Sequence, residues 1–231
     1  MEAPGSFILE KEEIMKCKGL IFDLDGTLLD TLEDLAIAAN ATLEHFDFPV
    51  HPVDAYRYFV GEGLKTLMQR IIPGSDASND QLLVYMKKFG EIYAKTWNVR
   101  SVPYKGIPEM ITSLSAAGLK LAVLSNKPHE FTTICVEAFF PEHPFVFVFG
   151  QREGVAKKPD PAGAIELAEK MGLGVDDILY VGDTATDMQT GNSAGMRTIG
   201  VEWGFRDRVE LQKNNAWKIV STPAEVVSYA V

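Results

Sequence analysis

The sequence predicts an α/β protein: a parallel sheet with helices on both faces, and an all-helical unit inserted into it. From about residue 106 onward, short apolar runs alternate with segments of helical periodicity, and this alternation is typical of a parallel sheet. Between residues 31 and 100, every apolar pattern instead has helical spacing. Because a first strand precedes these helices, they are predicted to form an insertion between that strand and the rest of the sheet.

The same patterns predict the domain boundaries. The α/β core is predicted to comprise residues 18–30 and 101–231, and a helical cap domain residues 31–100, after an N-terminal extension at 1–17 without assigned chemistry. The core strands are predicted at residues 19–22, 119–124, 145–149, 178–181, 198–201 and 217–220, and the core helices at 107–117, 128–139, 161–171, 186–194 and from 223 onward. The cap helices are predicted at residues 32–46, 53–59, 64–72 and 79–97. Asp30 and Glu33 predict a capping box at the start of the first of them.

The composition excludes several classes of protein. Of the 231 residues, 46% are hydrophobic and 23% are charged, as in a globular protein. No apolar run reaches the roughly 18 residues of a membrane span, and the N-terminus lacks the pattern of a signal peptide. The net charge of −10 argues against nucleic acid or an anionic membrane as a partner. Two cysteines without metal-ligand spacing fit a reducing compartment, so a cytoplasmic location is expected.

Two aspartates directly follow the first predicted strand. Asp23 and Asp25 stand two positions apart after an apolar run, and Gly26 then turns the chain. Two buried carboxylates repel each other and lose hydration, so a cation is needed between them. A hard divalent ion that takes oxygen ligands fits that need. Alone, such a pair would be interpreted as capping exposed amides, but three later segments carry matching chemistry.

Those three segments follow the later strands of the predicted sheet. Residues 125–127 (Ser-Asn-Lys) end the second strand, residues 157–160 (Lys-Lys-Pro-Asp) lie in the loop after the third, and residues 182–187 end the fourth. In an open parallel sheet, ligands bind beyond the carboxyl ends of the strands. The sequence therefore predicts that these acids, hydroxyl, amide and lysine converge at one edge.

Each of these residues also has a simpler interpretation. Asp183 and Asp187, four apart at a helix start, would supply magnesium ligands together with Asp23, but either would act alone as an N-cap. Ser125 is equally well suited to a cap or turn. Most lysines are solvated surface charges, and the pattern does not separate Lys157 from Lys158; Lys158, directly before proline, is the one we predict to bind phosphate.

This set of side chains is suited to phosphoryl transfer. A carboxylate can attack phosphorus and form an aspartyl phosphate, which splits a difficult reaction into two steps. The transition state spreads negative charge over three oxygens, and cation, lysine, hydroxyl and amide donors stabilise that charge. Asp25 is placed to protonate the leaving oxygen and then to deprotonate water. Asp23 contacts the metal and has to stay ionised.

The four segments together resemble the motifs of the haloacid dehalogenase-like hydrolase superfamily, of the phosphoglycolate phosphatase type with a helical C1 cap. The resemblance covers residues 18–225 and implies a Rossmann-like core. It implies that Asp23 is the nucleophile and Asp25 the general acid and base. It also implies that Ser125, Asn126 and Lys158 bind phosphate.

The resemblance further implies the metal ligands. Mg²⁺ is expected to be held by Asp23, the backbone carbonyl of Asp25 and Asp183, with Asp187 nearby. The dehalogenases of this superfamily need no metal and lack the second acid of the first motif, so Asp25 excludes that branch. Sugar-phosphate mutases typically carry valine where Thr27 stands, which favours hydrolysis.

The break between the second and third cap helices resembles the cap of phosphoglycolate phosphatases. Gly61 and Gly63 would let the backbone approach the substrate, and Lys65 and Arg70 would meet a carboxylate or a second phosphate. A helix-linking turn with solvated charges is an equally open interpretation.

The expected substrate is a small phosphorylated metabolite, with phosphoglycolate as the first candidate. A sugar-phosphate mutase stays an alternative, as does a phosphatase for a sugar phosphate, nucleotide or pyrophosphate. The sequence leaves open whether the protein is a monomer or a homodimer.

Overall fold

The computed structural model describes residues 17–74, 78–142 and 144–231. The predicted N-terminal extension therefore lies outside the described residues, except for Cys17. That cysteine is buried, and its thiol donates to the carbonyl oxygen of Gly19 at 3.2 Å. No helix of the described ranges is long and apolar enough to cross a membrane.

A six-stranded parallel sheet forms the centre of the fold. The strands in chain order are β1 (Gly19–Phe22), β2 (Leu29–Asp30), β3 (Val102–Pro103), β4 (Lys120–Pro128), β5 (Phe145–Gln151), β6 (Ile178–Gly182), β7 (Arg197–Val201) and β8 (Lys218–Val220). The sheet has the order β5-β4-β1-β6-β7-β8, and every neighbouring pair is parallel. The chain leaves β1 first to one side and then to the other, so the switch point at which ligands bind lies at the carboxyl end of β1.

Ten α-helices accompany these strands in the described residues. They are α1 (Leu32–His45), α2 (Tyr56–Phe59), α3 (Leu64–Ile71), α4 (Asn79–Thr96), α5 (Ile107–Ala116), α6 (His129–Phe139), α7 (Ala162–Met171), α8 (Ala185–Ser193), α9 (Arg208–Lys213) and α10 (Pro223–Ala230). Short 3₁₀ turns stand at Val53–Ala55 and Val175–Asp177.

The side chains of β1 show why its sequence is continuously apolar. Leu20 and Phe22 pack into the core cluster on one face of the sheet, while Ile21 packs into a separate cluster on the other face with Leu167 and Tyr180. Successive side chains of a strand point to opposite faces, so a strand covered on both faces has no polar position. The predicted sheet with helices on both faces is confirmed.

The helical insert, which comprises α1 to α4, has a hydrophobic core of its own. Tyr56, Met68 and Tyr93 are among its fully buried side chains. Its two connections to the sheet run side by side, because β2 and β3 pair in antiparallel fashion. The buried carboxylate of Asp34 secures the return connection by accepting hydrogen bonds from the backbone N–H groups at 100 and 101 and from the hydroxyl of residue 101.

Several local predictions were wrong. The capping box of Asp30 and Glu33 does not form: Thr31 is the N-cap of α1, and its hydroxyl donates to Asp25 without accepting from a helix N–H. Strand β4 runs on to Pro128, so residues 125–127 belong to the strand itself. The sequence patterns also missed α9 and the short pair of β2 and β3, since neither offers a long enough period.

Candidate active site

Three buried carboxylates meet at the carboxyl ends of β1 and β6. Asp23 follows β1 directly, and Asp183 and Asp187 follow β6 at the start of α8. One oxygen from each lies within 4.8 Å of the other two, and all three residues are buried. The predicted convergence of the first and fourth motifs is therefore present in the structure.

Asp183 is fixed by two donors. The Thr27 hydroxyl donates to its Oδ1 at 3.0 Å, and the backbone N–H of Phe205 donates to its Oδ2 at 2.8 Å. Gly204 packs so closely that a Cβ there would lie 2.3 Å from the Cβ of Asp183. The loop after β7 was missed by the sequence analysis, because no charged or repeated pattern marks it.

The lysine before proline lies inside the carboxylate cluster. Lys158 Nζ is 2.9 Å from Asp23 Oδ1 and 2.7 Å from Asp187 Oδ1, and its side chain is only 3% exposed. Burial alone would lower the pKa of Lys158, but the carboxylates of Asp187 and Asp23 raise it well above the ordinary range. Lys157 points elsewhere, donating to Glu62 O at 2.6 Å and to the hydroxyl of residue 66 at 2.9 Å.

Asp187 is the least available of the three acids as a metal ligand. Its Oδ2 accepts from the backbone N–H of Thr184 at 3.1 Å and from the Thr184 hydroxyl at 2.7 Å. Its Oδ1 pairs with Lys158. Thr184 and Asp187 thus form the capping box of α8, and Asp187 also orients the lysine.

Asp25 pairs with Lys127, a lysine of the predicted edge to which we assigned no role. Lys127 Nζ lies 2.9 Å and 3.0 Å from the two carboxylate oxygens of Asp25, and the Thr31 hydroxyl donates to Oδ1 at 2.8 Å. The Lys127 side chain is 3% exposed. Burial alone would lower the pKa of Lys127, but the Asp25 charge raises it above the ordinary range. The position of Lys127 in the second motif was the available signal.

Ser125 and Asn126 take different positions. The Ser125 side chain accepts from Lys127 N at 3.2 Å, which leaves its hydroxyl proton free to donate. The Asn126 amide is engaged on both sides: it donates to Gly61 O at 3.1 Å and to Lys158 O at 3.0 Å, and accepts from Lys158 N at 2.9 Å. Its side chain therefore joins three loops and is not free for phosphate.

A cavity lies between Asp23, Asp25 and the helical insert. It is lined by Ser125, Asn126 and Lys127 from the core, and by apolar side chains of the insert. Its volume of about 60 Å³ has room for only a few waters at roughly 10–15 Å³ each. The space above the acids therefore suits a small molecule.

Of the four insert residues predicted to contact the substrate, two line the cavity and two do not. Gly61 and Gly63 line the cavity, both with positive φ, at 108° and 85°. Lys65 and Arg70 do not line it. Lys65 Nζ donates to Asn79 at 2.9 Å, and Arg70 donates to the carbonyls of residues 58 and 59 and pairs with Glu62. The hydrogen bonds of these two cations all run to residues of the insert, so their role is to stabilise the insert itself.

The sequence of this chain matches a known protein family. The family model described as haloacid dehalogenase-like hydrolase matches residues 20–201. The chain belongs to the haloacid dehalogenase-like hydrolase family. Two curated relatives are phosphoglycolate phosphatases. That of Psychrobacter arcticus is 31% identical over 91% of this chain and 94% of its own, and that of Nitrosospira multiformis is 32% identical over 82% and 85%.

A solved structure agrees with this membership. The crystal structure of a predicted phosphoglycolate phosphatase from Haemophilus somnus superposes with a TM-score of 0.86 at 28% identity. The match covers 93% of this chain and 98% of that one. The recognition of the family from its four motifs is thereby confirmed, and the chain is a hydrolase.

The electrostatics of this hydrolase site favour a divalent cation. Burial, and then the charge of Asp187, raise the pKa of Asp23 to about 7 from its ordinary 3.8. The same causes raise the pKa of Asp183 well above its ordinary value. In the part of the chain that the structure describes, the four acids Asp23, Asp25, Asp183 and Asp187 together pair with two ammonium groups, those of Lys127 and Lys158. Because the excess is two negative charges on hard oxygen ligands, the residues present fit Mg²⁺.

We therefore expect the stability of the metal-free protein to fall as pH rises. Folded Asp23 holds its proton up to about pH 7, whereas the unfolded chain loses it near 3.8. The unfolded state then binds fewer protons, so the free energy of unfolding decreases across this window. Thermal unfolding in chelator should give a lower midpoint near neutral pH than in mild acid, and magnesium should restore it mainly near neutral pH. The profile of Asp23→Asn should be flatter. A midpoint that rises towards neutral pH without metal would contradict this electrostatic interpretation.

Three core side chains hold the insert at the edge of the cavity. They donate to three consecutive backbone carbonyls of the insert: Arg206 to Val60 at 3.1 Å, Asn126 to Gly61 at 3.1 Å and Lys157 to Glu62 at 2.6 Å. In the opposite direction, Arg57 donates to the carbonyl of Gly204 at 3.1 Å. The structure is thus that of an insert closed onto the carboxyl edge of the sheet.

Proposed function

We propose that this hydrolase is a magnesium-dependent phosphatase that cleaves a small phosphomonoester through an aspartyl phosphate on Asp23. The observation that carries the proposal is the buried cluster of Asp23, Asp183 and Asp187 with Lys158 beside the nucleophile. Asp23 also lines a small cavity, so the nucleophile is the member of the cluster that faces the substrate space. The phosphoglycolate phosphatases among the relatives support the same reaction class.

The metal ligands in this proposal are Asp23, Asp183 and the backbone carbonyl of Asp25, with Asp187 as a supporting acid. A bound Mg²⁺ would neutralise phosphate charge and allow the anionic substrate to approach the carboxylates. The Thr27 hydroxyl and the N–H of Phe205 fix Asp183 for this role. Lys158 orients Asp23 and opposes the rise of its pKa, because its ammonium is paired with the Asp23 oxygen at 2.9 Å.

The first step forms the phosphoenzyme. A carboxylate oxygen of Asp23 attacks phosphorus, and the bond between phosphorus and the ester oxygen breaks. Asp25 in its protonated form gives its proton to the leaving oxygen, which departs as an alcohol, and Asp25 becomes the carboxylate that pairs with Lys127. The Ser125 hydroxyl and the Lys158 ammonium are the chain's donors to the charge that develops on the phosphoryl oxygens.

The second step releases phosphate. Asp25, now a carboxylate, takes a proton from a water molecule whose oxygen attacks the same phosphorus. The bond between phosphorus and Asp23 breaks, which returns the Asp23 carboxylate and inorganic phosphate. We propose that residues 31–100 act as a cap that excludes other water during both steps. The apolar side chains that the insert contributes to the cavity support this role.

Phosphoglycolate is the proposed substrate. The small cavity favours it over a nucleotide, and two curated relatives carry this activity in their names. We also propose that the enzyme works in a reducing compartment, since Cys17 and Cys135 are both buried and free. A sugar-phosphate mutase would use the same acids, but its phosphoenzyme would transfer to substrate instead of to water.

A phosphate-release screen tests the proposal. The wild-type protein is incubated with some dozens of phosphorylated metabolites, in magnesium and in excess chelator. We expect release from phosphoglycolate in magnesium, loss of activity in chelator, and poor replacement by calcium, whose looser geometry disturbs in-line attack. Full activity in chelator, or no release from any ester, would overturn the proposed function.

A further inference from the structure

One corner of the cavity is polar, and the rest of its wall towards the insert is apolar. Apart from this corner, the side chains that the insert and α6 contribute to the wall are hydrocarbon: Leu35, Val60, Leu64, Leu67, Phe89 and Phe131. The polar corner is formed by Tyr93 of α4 and Lys127 of β4, which both line the cavity. On the wall towards the insert, the described side chains therefore offer a substrate group a hydrogen bond at this corner and not elsewhere.

Tyr93 carries a buried hydroxyl that finds no hydrogen-bond partner among the described residues. The residue is 1% exposed, and burial raises the pKa of its phenol, which therefore stays a donor. A buried hydroxyl that makes no hydrogen bond is costly unless a ligand supplies the partner. The ring itself is held firmly, because it stacks on Phe89 at 5.3 Å and meets the edge of Phe131 at 5.0 Å between ring centroids.

Lys127 provides a positive charge at the same corner. Its ammonium lies 4.8 Å from the centroid of the Tyr93 ring. An ammonium has three protons, and the two oxygens of Asp25 account for two of them. The pair with Asp25 also cancels the carboxylate charge that would otherwise repel an anion from this corner.

We propose that Tyr93 and Lys127 bind a carboxylate on the leaving group of the substrate, one carbon away from the ester oxygen. The inference rests on the proposed function, and it assigns specificity to α4 and β4. The cations predicted for this task, Lys65 and Arg70, are both engaged away from the cavity. The small volume of the cavity favours a short acid, in which the carboxylate lies close to the phosphate.

The test compares two esters that differ only in this carboxylate. Phosphoglycolate and ethyl phosphate are assayed with the wild-type enzyme and with Tyr93→Phe. We expect Tyr93→Phe to lower kcat/KM for phosphoglycolate by about 10- to 100-fold, the worth of a hydrogen bond to a charged group. Its kcat/KM for ethyl phosphate should stay within about twofold, because that ester has no oxygen for the hydroxyl to bind. The matched control is Tyr85→Phe, which changes a tyrosine of the same helix that packs on Phe46 and Phe48.

The ratio of the two kcat/KM values distinguishes specificity from a structural role. If Tyr93→Phe keeps the wild-type ratio, whether both activities fall equally or neither falls, the assignment of Tyr93 is overturned while the proposed function stays intact. A wild-type enzyme that prefers ethyl phosphate would do the same. A wild-type enzyme that releases phosphate from no ester would overturn the proposed function, and this inference with it.

Discussion

Replacing Asp23 with asparagine is expected to reduce phosphate release by at least about 10⁴-fold, as for the loss of a catalytic nucleophile. The substitution removes the attacking carboxylate and a metal ligand together, while the amide keeps nearly the same shape. Steady-state release from phosphoglycolate in magnesium measures the effect. Misfolding would not explain the loss, because removing one charge from a buried cluster of like charges should stabilise the metal-free protein.

The matched control for this variant is Asp54→Asn, on a side chain that is 94% exposed and does not line the cavity. Its turnover should equal that of the wild type. If Asp23→Asn kept even a few per cent of the activity, Asp23 would not be the nucleophile. If Asp25→Asn were completely inactive and Asp23→Asn only slowed, the roles of the two acids would be exchanged.

Replacing Lys158 with alanine is the second change with a large expected effect. Its ammonium holds Asp23 and Asp187 and is a donor to the transferring phosphoryl group, so turnover should fall by about 10²- to 10⁴-fold. Lys157→Ala is the natural control, because the side-chain ammonium of Lys157 donates to the insert and not to the carboxylate cluster. Its effect should be mild and fall mainly on KM, since one of the four side chains that join the insert to the core is lost.

Lys158→Ala also leaves buried carboxylates unpaired, which costs several kcal/mol when one partner of a buried pair is removed. The thermal midpoint of unfolding in magnesium is therefore measured together with the rate. The variant Lys158→Arg is added because it keeps the positive charge and changes the length of the side chain. A folded Lys158→Ala enzyme with near wild-type turnover, or a larger loss in Lys157→Ala, would show that the wrong lysine has been assigned to phosphate.

The sheet and its polar edge were predictable because both depend on local patterns. A strand buried on both faces is apolar throughout, as in β1, and the acids that follow β1 and β6 are marked by their spacing. Parallel topology then brings Asp23 and Asp183 together without any knowledge of their contacts. The helices of the insert were equally visible from their periodicity.

The partners of individual polar side chains were not predictable, since they depend on contacts distant in sequence. Lys65 and Arg70 have the charge and the position expected of substrate ligands, yet closer partners within the insert engage them. Asn126 lies at the predicted edge but spends its amide on three backbone groups. The role of Lys127 was not predicted because its partner Asp25 is 102 positions away in the sequence.

The insert shows the same limit at its boundaries. Asp30 has the spacing of a capping residue, but the adjoining Thr31 is the N-cap. The Thr31 hydroxyl donates to Asp25, and this tertiary contact fixes Thr31 at the start of the helix. Asp34 looks like an ordinary helix-start acid, whereas the structure buries it under the returning connection at Ser101. A local pattern gives the residue type that a helix start accepts, and tertiary contacts decide which residue is used.

The most direct test of the central claim is the site of phosphorylation in Asp25→Asn. This variant keeps the nucleophile but lacks the base for the second step, so the phosphoenzyme should accumulate. An aryl phosphate is the substrate of choice, because its leaving group needs little protonation. After an acid quench, peptide mass mapping should locate one phosphoryl group on Asp23, only in the presence of magnesium. Phosphate on another residue, or aryl phosphate hydrolysed at a sustained rate with no phosphoenzyme at any time, would contradict the account.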